Sequence, residues 1–231
     1  MKTNYAINIE NQDIVIQYPD GTQQKLTVQN FPEDFLRWQS VSRTKMFEVM
    51  EHKDASAIKS MPGHLPTLAT SSDGIFPINL STRGMGVLPK ESILSEVSEL
   101  FIETKRKMAD FSQDESLRQR VSVVKDFYAD YQNFDAYIVG GLEIFEGQTA
   151  RNIANNPLVS LLYSGEAPVF PSYQFNGVIR IVSDSDPYYQ FLLAARELFA
   201  MDKFHIHQTN YPFGYLFYLH DAKNKTPFSR K

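Results

Sequence analysis

The chain has 231 residues, a formal net charge of −4 and no cysteine. A chain of this length buries about 70% of the surface that its unfolded form exposes, so it can form a core without cross-links. The lack of cysteine excludes disulfides, thiolate catalysis and cysteine-ligated metals. The negative charge gives no general attraction to nucleic acid, and no apolar stretch approaches the ~18 residues of a membrane helix. We therefore expect a soluble, cytoplasmic protein that binds neither nucleic acid nor a membrane.

The first third of the chain predicts strands around one helix. Residues 1–30 alternate between polar and apolar side chains and include a Pro19–Thr22 turn, which predicts a β-meander. Pro32 followed by two acidic residues predicts the start of a helix within a connector at 31–60. From Leu65 to Leu80, two short apolar runs flank an Asp-Gly turn, which is typical of a hairpin.

A charged segment with helical periodicity follows. Residues Glu91 to Tyr131 predict two helices, and Ser112 with Glu115 matches the capping box that would begin the second helix. This αα-hairpin, at about 90–132, is predicted to be inserted between strands of a domain that spans 61–231. The other predicted elements are strands at Ala136–Phe145, Leu158–Tyr163, Phe175–Val182 and Tyr215–Leu219, a short helix at Thr149–Asn155 and a helix that starts within Asp184–Pro187. Gly177 within its strand predicts either a β-bulge or a close approach of two backbones.

The most informative segment is LEIFEGQTARNIANNPLVSLLY, from Leu142 to Tyr163. It predicts a strand, a turn at Gly147 and a short helix that begins at Thr149, with Thr149 as the N-cap. Arg151 would lie in the first turn, where a cation is unfavourable unless an anion is bound. The pattern is that of a phosphate site at a helix N-terminus. An ordinary capped connector, with the arginine in water, explains the same residues.

Three segments of the chain resemble segments of the pyridoxamine 5′-phosphate oxidase-like, FMN-binding split-barrel superfamily, and they follow one another along the chain in the order that this superfamily has. The run TARNIANNPLVSLLY resembles its Ser/Thr-x-Lys/Arg turn, Asn-Pro helix and apolar strand. LPTLATSSDGIFP resembles its opening hairpin, and FNGVIRIVSD resembles a later strand that leads into a helix. The resemblance implies an α+β fold, a split β-barrel to which the N-terminal β-meander and the helical hairpin are additions.

The resemblance also implies FMN bound at a homodimer interface. It places the cofactor-binding role on five positions: Thr82, Arg83, Gln148, Thr149 and Arg151. Arg83 is equally explained as a surface residue before a glycine-rich loop. Glu143 and Glu146 would oppose binding of an anion unless they point away. The Arg-x-His motif of the members that oxidise pyridoxine phosphate was not found, so vitamin B6 synthesis is not expected.

Three functions remain open at this point. The first is an FMN-dependent oxidoreductase that acts on a small conjugated electron acceptor, in which the cofactor supplies the chemistry. The second is a haem-binding or haem-degrading protein on the same scaffold, with His205 or His207 as the candidate ligand; no metal site is otherwise predicted. The third is a cofactor-less interaction protein, for which the helical hairpin and the aromatic run from Tyr211 to Tyr218 would form a surface. The aromatic run can instead pack inside the barrel.

Overall fold

The computed structural model describes residues 1–51, 63–199 and 210–227. Its N-terminal part is a three-stranded antiparallel sheet of β1 (Ala6–Glu10), β2 (Asp13–Gln17) and β3 (Gln23–Thr27). Alternation on β2 buries Ile14 and Ile16, which pack with Val178 of the larger sheet. The meander predicted from the sequence is therefore present, and it covers a face of the main sheet.

The main sheet has seven antiparallel strands in the order β5-β4-β8-β9-β10-β7-β6. These strands are β4 (Thr67–Ser71), β5 (Ile78–Thr82), β6 (Gly86–Pro89), β7 (Phe134–Leu142), β8 (Leu158–Ser164), β9 (Ser172–Val182) and β10 (Gly214–Asn224). The aromatic run ending at Tyr218 forms much of β10, where Tyr215 and Phe217 are almost fully buried. It packs in the core, as one of the two interpretations of the sequence predicts.

The two end strands of this sheet, β5 and β6, follow each other directly in the chain. Only residues 83–85 separate them, and these continue to pair, because the Arg83 N–H donates to the Pro66 carbonyl and the Met85 N–H to the His64 carbonyl. One bent segment thus supplies both ends, so the sheet curves back on itself. We call residues 83–85 the seam. This mixed α/β arrangement is consistent with the split barrel expected from the sequence, although the hydrogen-bonded ladder is not closed between β5 and β6.

The backbones pack closely at two glycines. A Cβ on Gly141 of β7 would lie 1.7 Å from the carbonyl oxygen of Gly84 in the seam. A Cβ on Gly177 would lie 2.1 Å from the carbonyl oxygen of Tyr218, as expected from a glycine within a strand. Both positions therefore require glycine because of contact with a neighbouring strand or loop.

Five α-helices occur in the described residues: α1 (Glu33–Glu51), α2 (Glu91–Lys107), α3 (Gln113–Ala129), α4 (Gln148–Asn155) and α5 (Pro187–Glu197). The predicted helical hairpin is present as α2 and α3. Its capping box is present too, with the Ser112 hydroxyl accepting from the Glu115 N–H while the Glu115 carboxylate accepts from the Ser112 N–H. The insertion shares the core of the sheet, because Phe127 of α3 contacts Phe134 of β7 edge-to-face.

Candidate functional site

The two faces of β5 differ sharply in chemistry. On the inner face, Asn79 and Ser81 pair in register with the buried Thr70 and Leu68 of β4. Arg83 follows on the same face, directly after the strand. The outer face carries Ile78 and Leu80, which are 63% and 65% exposed, and then Thr82. The inner face is thus polar and covered, whereas the outer face is apolar and open.

Helix α4 covers the inner face of β5 through hydrogen bonds to Thr149. The Asn79 amide donates to the Thr149 hydroxyl over 3.1 Å, and the Ser81 and Thr149 hydroxyls lie 2.8 Å apart. Asn152, one turn later, donates to the Thr70 hydroxyl. The predicted N-cap role of Thr149 is wrong, because α4 begins one residue earlier and its N-cap is Gly147. The hydroxyl of Thr149 holds the helix against β5 instead.

The N-terminus of α4 has no side-chain cap. The first N–H groups of a helix have no intrahelical partner, and Gly147 has no side chain that could serve them. A Cβ placed on Gly147 would meet no atom within 4 Å, so this end of the helix is open. The space beside Gly147, at the positive end of the helix dipole, is therefore not filled by protein atoms.

Arg151 and Gln148 lie together beside this helix end. The Arg151 guanidinium donates to the Gln148 side-chain oxygen over 3.0 Å, and the Gln148 amide donates to Asn152 over 2.6 Å. Both Arg151 and Gln148 are exposed. These two predicted residues form one small polar group on the surface, and solvent can replace each of their mutual contacts.

Arg83 is held inside the protein by Glu143. The Arg83 guanidinium lies 3.1 Å from Glu143 Oε1, and the side chains are 15% and 0% exposed, respectively. The Tyr215 hydroxyl donates to the other carboxylate oxygen over 2.6 Å. Burial, and then the hydrogen bond and negative charge of Glu143, raise the pKa of the Tyr215 hydroxyl, so Tyr215 stays a neutral donor.

The Glu143 carboxylate also accepts from the backbone that follows it. The N–H groups of Ile144, Phe145 and Glu146 lie 3.0, 2.8 and 3.1 Å from Oε1. Glu146 has a positive φ of 45°, which helps to turn the chain around the carboxylate. We call this group of donors, together with Arg83 and Tyr215, the Glu143 nest. The sequence raises the concern that Glu143 opposes an external anion; in the structure its carboxylate occupies an anion site of its own.

The five residues predicted to bind a cofactor are therefore distributed over three places. Gln148, Thr149 and Arg151 lie on α4, and Arg83 is on the face of β5 that α4 covers, beyond Ser81. Thr82 lies on the outer face of β5, away from Thr149. The sequence reasoning did not identify Asn79 and Tyr215. The alternation of polar residues at 79, 81 and 83 could have indicated Asn79, whereas no local pattern links Tyr215 to Glu143.

The remaining candidates lie elsewhere. His205 and His207, the haem or metal candidates, fall outside the described residues. Within the residues that the structure describes, no group of three or more histidine, cysteine, aspartate or glutamate side chains could hold a metal ion. No helix in the same part of the chain is long and apolar enough to cross a membrane.

A second notable surface, here called the outer apolar face, lies on the opposite side of β5. It consists of Ile78 and Leu80, of Leu162 on β8 and of the hairpin turn residues Ile75 and Phe76, which are 96% and 82% exposed. The register from Thr82 through Thr67 to Leu162 places all three strand residues on one face. Exposed apolar residues that share one face of a sheet in this way are typical of an interaction surface.

Comparison with known proteins gives similarity of fold only. No protein-family model matches the sequence, and no curated protein matches it. Among solved structures, HupZ of Group A Streptococcus is 13% identical with a TM-score of 0.40, covering 79% of this chain and 93% of its own. A pyridoxamine 5′-phosphate oxidase-like protein from Listeria innocua is 9% identical with a TM-score of 0.40, covering 79% and 97%. An F420 reductase is 11% identical with a TM-score of 0.37, covering 70% and 90%.

These three structures share the split-barrel fold, but with TM-scores of 0.37 to 0.40 the likeness assigns neither that fold nor an activity to this chain. The chemistry of the site must therefore be inferred from this chain's own side chains.

Proposed function

We propose that the protein is a flavoprotein that binds FMN through the N-terminus of α4 and acts as an oxidoreductase on a small conjugated electron acceptor. The observation that carries this proposal is the open, uncapped end of α4 with an exposed arginine in its first turn. Helix N-termini bind phosphate through backbone N–H groups and the helix dipole. A phosphate there would also relieve the unfavourable position of the Arg151 cation.

The residues of α4 fit a phosphate group. The N–H groups of Gln148 and Thr149 would donate to it, and the side chains of Arg151 and Gln148 can turn towards it because their present contacts are exposed. The Thr149 hydroxyl is already bound to Asn79 and Ser81. Arg83 is committed to Glu143, so α4 is the principal phosphate-binding element in this proposal.

When bound, FMN would supply the redox chemistry through its isoalloxazine ring, while the protein binds and orients it. This division of roles fits a chain in which no nucleophile with an adjacent base was found in the sequence. We expect a small conjugated electron acceptor as the substrate, because the isoalloxazine ring would transfer electrons to such a molecule without a catalytic side chain.

The test is a fluorescence titration of FMN with the wild-type protein and with Arg151→Ala. We expect the variant to lose about 1.5–3 kcal/mol of binding free energy, the range for hydrogen bonds to charged groups, which corresponds to a Kd about 10- to 150-fold higher. The matched control is Arg118→Ala on α3, whose side chain is 79% exposed. An Arg151→Ala protein that binds FMN as tightly as the wild type would contradict the assignment.

We also infer that two copies of the chain associate through the outer apolar face. The segment 75–82 that supplies most of this face contains no charged residue, so two copies can meet there without repulsion. A two-fold axis places the same face of each copy against the other, so one self-complementary apolar surface is sufficient for a dimer. A homodimer buries the exposed side chains that a single copy leaves in water.

Light scattering after size exclusion tests this inference. The wild type should have a mass twice the 26.5 kDa of the chain, and Leu80→Lys should shift it towards the monomer, because two lysines would meet across the axis. Ile102→Lys on α2, where the native side chain is also exposed (52%), is the matched control and should remain dimeric. A wild type that is monomeric up to high concentration would contradict the dimer.

A further inference from the structure

The Glu143 nest is constructed as an anion-binding site, although the anion is a side chain of the chain itself. Three consecutive backbone N–H groups, one guanidinium and one phenolic hydroxyl converge on a single carboxylate that is fully buried. A buried charge is tolerated only when it is paired and hydrogen-bonded in this way. The same kinds of donor, including successive N–H groups, bind phosphate in other proteins.

This nest adjoins the phosphate site proposed on α4. The residues that donate to Glu143, Ile144 to Glu146, lead directly into the N-cap Gly147. Arg83 is the next inward residue after Ser81, whose hydroxyl contacts Thr149 in the first turn of α4. A phosphate at the end of α4 would therefore have the Glu143 carboxylate and the guanidinium it holds as near neighbours.

We propose, on the basis of the proposed FMN function, that Glu143 is the residue that determines how strongly the site favours a phosphorylated ligand over an unphosphorylated one. Its carboxylate repels the phosphate dianion and keeps Arg83 from donating to it. Like charges placed close together cost several kcal/mol in recognition. The site consequently prefers FMN to the dephosphorylated flavin only weakly. The preference would be stronger if both Arg83 and Arg151 were free to bind the phosphate.

Glu143→Gln is a neutral replacement that can keep most of the hydrogen bonds of the nest. In Glu143→Gln, the side-chain oxygen can still accept from the three backbone N–H groups, and the new amide can donate to the Tyr215 hydroxyl oxygen. Arg83 loses its charged partner and becomes available to an external phosphate. The substitution thus removes the charge and leaves the shape of the nest.

The experiment compares the Kd of FMN with that of riboflavin, which has the same ring and no phosphate, by fluorescence titration. We expect Glu143→Gln to bind FMN at least about tenfold more tightly than the wild type and to bind riboflavin within about twofold of it. The double variant Glu143→Gln with Arg83→Gln should lose that gain, because the gain depends on the released guanidinium. An unchanged ratio of the two Kd values in Glu143→Gln would overturn the proposal.

Two further measurements keep the outcome decisive. If Glu143→Gln does not fold, Tyr215→Phe takes its place: it removes one neutralising donor from the Glu143 carboxylate, which then repels the phosphate and attracts Arg83 more strongly, so FMN binding should weaken about twofold or more; no change would overturn the proposal. Inorganic phosphate serves as a flavin-independent probe through its effect on the melting temperature. If neither protein binds FMN but phosphate stabilises Glu143→Gln more than the wild type, the proposed function fails and the role of Glu143 stands. If the wild type binds FMN and Glu143→Gln binds it no better, the proposed function stands and the role of Glu143 fails.

Discussion

The five residues of β5 form two faces that differ in polarity and exposure: the inner face is polar and covered, and the outer face is apolar and exposed. Antiparallel strands usually place apolar side chains inward and polar ones outward. On β5, Asn79 and Ser81 face inward and are satisfied by Thr149, whereas Ile78 and Leu80 face outward and are exposed. The comparison shows that polar residues are stable inside when another element supplies their partners. It also shows that the apolar side of a strand can be left for association.

The largest expected effect concerns Arg83, at the inner end of this strand. Arg83→Met would leave the Glu143 carboxylate buried without its cation, and breaking a buried pair in this way costs about 3–5 kcal/mol. Urea denaturation followed by circular dichroism measures the loss. Arg118→Met, at a 79% exposed arginine, is the control and should stay within about 0.5 kcal/mol of the wild type. A loss below about 1 kcal/mol for Arg83→Met would mean that Glu143 does not depend on this partner.

A smaller effect is expected from the hydroxyl that joins α4 to β5. Thr149→Val keeps the shape of the side chain but removes one hydrogen-bond partner from the Asn79 amide and from the Ser81 hydroxyl, which costs about 1–3 kcal/mol. Thr82→Val makes the same chemical change on the outer face and should alter the free energy of unfolding by less than about 0.5 kcal/mol. Equal losses in the two variants would refute the difference between the faces.

The smallest effect is expected for the fold stability of Leu80→Lys, the variant that tests self-association. At concentrations where both proteins are monomeric, its free energy of unfolding should lie within about 0.5 kcal/mol of the wild type, because Leu80 is 65% exposed in one copy. At higher concentration the wild type should gain stability by mass action while the variant does not. A large loss in the monomer would show that Leu80 belongs to the core.

The sequence predicts local structure well wherever local chemistry decides it. Three features depend on residues close in the chain or on the size of one residue: the Ser112 capping box, the helix start within Asp184–Pro187, and the close backbone approach at Gly177, which was one of two interpretations of that glycine. The start of α4 is the exception, since Thr149 is a good N-cap by type. Its hydroxyl instead bonds to side chains about 70 residues away, and local sequence carries no information about such partners.

The candidate site is predicted less completely for the same physical reason. Alternation along residues 78–82 separates the side chains into two sets, but it cannot say which set faces the core. The apolar set would be the usual choice, and here it is the exposed one. The Glu143 nest joins positions 60 and 72 residues apart in the chain, so its effect on Arg83 emerges only when the sheet is assembled. The cofactor-binding roles of the five residues stay predictions.

The seam at residues 83–85 joins the two end strands of the curved sheet, β5 and β6, and a few hydrogen bonds hold it in place. The Arg83 and Met85 N–H groups bind the chain before β4, and the Met85 carbonyl accepts from the buried Tyr163 hydroxyl over 2.8 Å. A ligand that draws the Arg83 side chain away from Glu143 would act on the residue that begins the seam. We expect the rates of amide hydrogen exchange at Arg83 and Met85 to change when such a ligand binds, because both amides hold the seam to the chain before β4.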